Sequence, residues 1–199
     1  MKKIYILIGD PNNEKERLSL NTLLAKEYEV AAREAGNEVR LTHLADLSFD
    51  TVLHKGYRVI QPLEPDLLKV QEDMKWADHI VILFPVWWAS LPSLLKGLFD
   101  RIWMPGFAFH FKKKGLKRTD HWICELEGRT ARIIQTSGTS KWMIWRKFGQ
   151  PSKVLKKGIL GFAGISPVKV TWFGSVNNAP PEKVEAWKKK VRALGSKGA

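Results

Sequence analysis

The chain has 199 residues, 44% hydrophobic and 27% charged, which suits one folded domain with a full core and excludes a disordered polymer. Its 33 basic and 20 acidic residues leave a formal net charge of +13, and Cys124, its single cysteine, excludes an intrachain disulfide and a thiolate metal cluster. No apolar run approaches the ~18–20 residues of a membrane span, and the longest, around residues 80–92, is broken by prolines.

Lys3 to Ile8 reads as a strand buried on both faces, as in parallel sheets. It is too short for a signal-peptide core, and with the lone cysteine it fits a cytoplasmic protein. A helix is expected to begin near Ser19-Leu20-Asn21 and to close at Gly36, with Leu20, Leu23, Leu24, Glu27 and Ala31 on one stripe, apolar except for Glu27. Glu38 to His43 gives a second strand, residues 46–63 are irregular, and Asp66 to Lys75 is helical. Ala77 to Phe84 is the third strand, followed by a helix whose first turn holds Pro92. Met104 to Asp120 reads as a loop with aromatic punctuation. Thr130 to Thr136 is a strand, Pro151 to Phe162 a helix, Val168 to Phe173 a strand and Pro181 to Leu194 a final helix. Strands alternating with helices imply a doubly wound α/β sheet in one domain, residues 1–195, with 196–199 as a loose tail.

Three strand ends then meet on one edge of the sheet, where open α/β sheets bind ligands. After Ile8 come Ser19, Leu20 and Asn21 at a helix start, where free N–H groups hold phosphate. After Phe84 come Pro85, Val86, Trp87 and Trp88; the two indoles either grip a planar ring or fill core beside a turn. After Gln135 come Thr136, Ser137, Gly138 and Thr139, small enough for a flat ring to approach the backbone. A Walker sequence and a Gly-x-Gly-x-x-Gly fingerprint are both absent. The five histidines show no metal-ligand spacing, and Ser137 lies outside any Gly-x-Ser-x-Gly elbow.

Phe84-Pro85-Val86-Trp87-Trp88, followed by Leu91-Pro92, Leu95-Lys96-Gly97, Asp100-Arg101 and Gly106-Phe107-Ala108-Phe109, resembles the flavodoxin-like NAD(P)H:quinone oxidoreductase family. That is the group of DT-diaphorase, the drug-activity modulators and the ancillary reductases of potassium-efflux systems. The resemblance runs from Ile4 to about Leu194. It implies a five-stranded sheet of order 2-1-3-4-5 with helices on both faces, a flavin (FMN or FAD), NAD(P)H as co-substrate and a homodimer. Ser19, Leu20 and Asn21 would hold the flavin phosphate, and Pro85 to Trp88 would lie along the ring. Thr136 to Thr139 would cover the ring's other polar edge, the backbone of Ser137, Gly138 and Thr139 stabilising its reduced form. Trp88, Phe109, Phe111 and Trp142 would bind a quinone or similar substrate, the two phenylalanines across the dimer interface. Lys141 or Arg146 would steer the phosphates of NAD(P)H.

The chain departs from that pattern in two places. Asp10-Pro11 stands where the family often has His-Pro, and residues 11–18 form a longer loop, with Arg17 available to offset the carboxylate. Ser140 to Ile144 lacks the family's tyrosine and histidine pair, so chemistry rests on the flavin and backbone donors. A second reading is an ancillary flavoprotein that docks on a membrane transporter. Nucleic-acid binding is not expected, because the aromatics are not interleaved with the lysines.

Overall fold

The computed structural model describes residues 1–12, 19–114 and 117–199, without the side chains at positions 58, 112–114 and 117–121. β1 (Lys3–Ile8) leads to α1 (Leu20–Glu34), β2 (Glu38–His43), α2 (Pro65–Trp76) and β3 (His79–Pro85). Then come α3 (Ser93–Ile102), β4 (Phe109–Lys114), β5 (Lys117–Cys124), β6 (Thr130–Ser137), α4 (Lys141–Phe148), β7 (Val168–Gly174) and α5 (Pro181–Ser196). Five strands make one parallel sheet in the order β2-β1-β3-β6-β7. With β4 and β5 apart as an antiparallel pair, this is the expected 2-1-3-4-5 order.

The alternation of side chains along each strand builds two cores. Tyr5 and Leu7 of β1, with Ile80, Ile82 and Phe84 of β3, face α2 and α3. Ile4, Ile6 and Ile8, with Val81 and Leu83, face α1 and α5. The central strands are therefore apolar on both sides, and their runs carry no polar alternation. The register sets Ile8 beside Leu83 and Pro85 beside Thr136, so three chain exits share one edge.

Four local readings change. Part of the stretch expected as a loop, 104–120, is the β4–β5 hairpin, in which Phe109 pairs with Cys124. Phe109 meets Phe111 and Phe162 edge-on, at 5.3 and 4.9 Å between ring centroids. Only two aromatics carry the strand period there, and the lysine run beyond them hid it. α4 was not expected, although Ser140 caps it and Gly149, at φ 81°, ends it. The helix expected over 151–162 is instead a π-helix (Val154–Leu160) running into a tight turn at Gly161–Ala163. Gly158 and Gly161 ease that departure from α geometry.

The fourth change concerns the tail, which is tied down. Lys2 Nζ donates to the Gly198 carbonyl at 2.9 Å, and the Tyr28 hydroxyl donates to that of Ala199 at 3.4 Å.

The irregular segment 46–63 is pinned from below by Arg101, whose side chain is fully buried on α3. Its Nη2 donates to the Pro62 carbonyl and to Glu64 Oε2, both at 2.8 Å. Its Nη1 donates to the Asp50 carbonyl and to Glu64 Oε1. One guanidinium thus closes a loop that has little regular structure of its own.

His79, at the start of β3, is buried with Nδ1 at 2.7 Å from Thr130 Oγ1. Burial, aided by the cations of Lys2, Arg132 and Lys169, pushes its imidazole down to about 4 from 6.5. The unfolded chain therefore takes up this proton first. Its share of stability is complete above pH 6.5 and is lost as pH falls towards 4, up to about 3 kcal/mol. Urea unfolding of the wild type against His79→Gln across that window is expected to show the extra acid slope in the wild type alone.

Candidate flavin site

The turn after β3 is the most unusual backbone in the fold. Trp87 and Ser90 exchange both backbone hydrogen bonds, at 3.1 and 2.8 Å. Between them Trp88 and Ala89 both have positive φ, 49° and 59°. This is the pattern of a type I′ turn, which usually takes Asn-Gly. Two side-chain-bearing residues in left-handed backbone cost roughly 1–2 kcal/mol each. The result is that Trp88 stands wholly exposed, and Trp87 is half-exposed. The core-filler reading of these indoles is excluded.

Across from this turn lies the loop after β6. Val86 N–H donates to the Thr136 carbonyl at 2.7 Å, which fixes the separation of the two loops. Ser137 Oγ donates to the Thr139 carbonyl at 2.8 Å and accepts from Trp172 Nε1 at 2.9 Å. A Cβ on Gly138 would fall 2.7 Å from Asn177 Nδ2, so only glycine fits without moving that amide. The N–H groups of Gly138 and Thr139 have no acceptor among the described residues.

Between the loops is a cavity of about 410 Å³, within the usual size of small-molecule sites. Of the residues expected at a flavin ring, Val86, Trp88, Ser137, Gly138 and Thr139 line it. Pro85, Trp87 and Thr136 flank it in the chain without lining it. Ala89, Ile144, Phe148 and Asn177 also line it and were missed. Ile144 and Phe148 sit one turn apart on α4, a helix whose cap and stop, Ser140 and Gly149, were readable in the sequence.

At the start of α1 the side chains do structural work. Ser19 is the N-cap, accepting from Thr22 N–H at 3.2 Å. Asn21 is buried, donating to Asp10 Oδ2 and accepting from Thr136 Oγ1, each at 3.2 Å. Asp10 also accepts from Asn12 N–H at 3.1 Å. So Asp10 is a bracket between turn and helix. What α1 has left for an anion is its first-turn N–H groups at Leu20 and Asn21, which no carbonyl of the helix reaches. Arg17 lies outside the described residues.

The remaining expected residues are elsewhere. Phe109 and Phe111 line an apolar cleft with Phe99, Trp103 and Phe162, apart from their own chain's slot. Trp142 and Lys141 line a third cavity, and Arg146 lies over the Trp142 ring at 5.4 Å. No helix among the described residues is long and apolar enough to cross a membrane.

A slot between the loops after the third and fourth core strands, beside the helix that follows the first, can be compared with known proteins. The family described as flavodoxin-like fold matches residues 2–196. The rat protein NAD(P)H dehydrogenase [quinone] 1 (Rattus norvegicus) is 24% identical over 207 residues, covering 90% of this chain and 74% of its own. The solved NAD(P)H:quinone oxidoreductase of Methanothermobacter marburgensis superposes with a TM-score of 0.76 at 22% identity, covering 97% of this chain and 94% of the other. An FMN-dependent NADH-azoreductase of Bacillus anthracis, solved in complex with FMN, gives 0.69 at 23% identity over 99% of both chains. With a family match that runs through nearly all of its residues, the chain belongs to the flavodoxin-like family.

Proposed function

We propose that the chain is a flavin-dependent NAD(P)H oxidoreductase that passes two electrons to a quinone or a comparable acceptor, working as a homodimer. The single observation that carries this is the slot itself: an exposed indole on a strained turn faces a glycine loop with two unused N–H groups. Its residues fit a flavin. Gly138 leaves open the space a side chain would fill, and Trp88 offers a flat face. The first-turn N–H groups of α1 are the donors for a phosphate tail.

When bound, a flavin, FMN or FAD, supplies hydride acceptance from NAD(P)H and delivery to the acceptor. The protein's part is placement and charge. Trp88 and Val86 orient the ring from one loop. The N–H groups of Gly138 and Thr139 hold its polar edge from the other, where negative charge develops on reduction. Asn21 holds the helix start and the Thr136 end of β6 at a fixed spacing. Phe109 and Phe111, away from their own slot, would wall the pocket of a second copy in the homodimer. The similar NAD(P)H dehydrogenase [quinone] 1 and NAD(P)H:quinone oxidoreductase support the same acceptor class.

The test is a visible spectrum of the purified protein, with mass spectrometry of the released cofactor. Oxidised-flavin bands bleached by NADPH and restored by a quinone are expected. A colourless protein that takes up neither FMN nor FAD overturns the proposal. Trp88→Ala is expected to weaken flavin uptake roughly 3- to 10-fold, the scale of one ring stack. Its unfolding midpoint should not drop, because the lost side chain is fully exposed. Flavin fluorescence titration and urea unfolding read the two.

A further inference from the structure

α4 separates two cavities. Ile144 and Phe148 line the slot, whereas Lys141, Trp142 and Trp145, on the adjoining face of the helix, line a larger cavity of about 650 Å³. Trp172 of β7 walls this second cavity, and Lys156 of the π-helix adds a second cation. Its described lining residues include no carboxylate.

Gln135 forms its floor. This residue is 0% exposed, and neither Nε2 nor Oε1 has a partner among the described residues. Ile133, two residues earlier on the same face of β6, is ordinary core. A buried carboxamide with both ends unmet is costly where a leucine would not be. A ligand edge that sets an acceptor beside a donor meets both ends at once. Such edges belong to planar nitrogen heterocycles, which glutamine reads in bidentate fashion and tryptophan stacks.

We propose that this cavity is a second binding site, for a nucleotide. The base is read by Gln135 among the indoles, and the phosphate is held by Lys141 and Lys156. The amide is closed from solvent, so the ligand reaches it by displacing cavity-wall side chains, and the indoles must respond. The site also touches the slot: Trp172 holds Ser137 Oγ, which holds the Thr139 carbonyl. None of this requires the slot to carry a flavin.

The test is a titration of the purified protein with AMP, read by tryptophan fluorescence, with adenosine and orthophosphate as parallel arms. A saturable change with AMP is expected, several-fold weaker affinity for adenosine, and no response to orthophosphate. Gln135→Leu is expected to weaken AMP binding roughly tenfold or more, with flavin uptake unchanged. Trp145→Ala, which removes a half-exposed ring, should weaken it too without unfolding the chain. NADP+ added to AMP-loaded protein distinguishes two sources that both support the site. Displacement identifies the adenylate half of the co-substrate, and retention a free nucleotide. No saturable response to AMP overturns the proposal, as does unchanged affinity in Gln135→Leu or an orthophosphate response equal to that of AMP.

Discussion

Replacing Arg101 with leucine is expected to lower stability by about 3 kcal/mol, moving the melting midpoint down by roughly 6–12 °C for a chain of this size. The guanidinium is fully buried and is the common donor to the Asp50 and Pro62 carbonyls and to both oxygens of Glu64. Leucine would leave two carbonyls and a carboxylate without that donor. Glu64 stays partly solvated, with its side chain 30% exposed, which keeps the cost below that of a wholly buried charge. Burial, the largest single influence, would raise the Glu64 carboxyl, but the Arg101 hydrogen bond, the backbone N–H groups of Asp50 and Glu64 and the Arg101 charge together hold it below the usual range. The variant's carboxyl should therefore titrate higher. Urea unfolding of wild type, Arg101→Leu and Glu64→Gln measures the effect. A midpoint for Arg101→Leu within experimental error of wild type would show that segment 46–63 is held by its other contacts.

The second large effect is expected in the slot. Gly138→Val places a branched side chain where even a Cβ lies 2.7 Å from Asn177 Nδ2 and 3.1 Å from its Cγ. Asn177 lines the same cavity, so the amide has to move as the space shrinks. Overpacking of this kind costs about 1–3 kcal/mol, which as binding energy is a fall of roughly 5- to 150-fold in flavin affinity. The loop lies beyond the last residue of β6, so the sheet is expected to remain intact. Flavin content after purification and a fluorescence titration with FMN and FAD check it. Unchanged content in the valine variant would put the ring somewhere other than against this loop.

The fold was legible because its central strands are simple. Ile4 to Ile8 and Ile80 to Phe84 are unbroken apolar runs, which only a sheet covered on both faces accommodates. The Trp88 side of the site was legible through the double indole at a strand end, but not the backbone that exposes it. Nothing in Trp88-Ala89 announces a turn that normally recruits Asn-Gly. Lys141 to Phe148 was missed as a helix because it is only eight residues long and several of its aromatic residues are exposed. For Asn21 the sequence pointed to the helix start but not to the partners of its amide. Its amide is spent on Asp10 and Thr136, contacts spanning 11 and 115 residues of chain that no local pattern reveals.

That same amide has a consequence for anyone who would redesign this protein. A single side chain ties the turn after the opening strand and a threonine near the end of a distant strand to one helix tip, so in the proposed flavin site tail recognition and ring recognition would not be separable modules. Grafting a different head-group preference onto one loop will drag the other with it, unless position 21 is rebuilt in the same stroke.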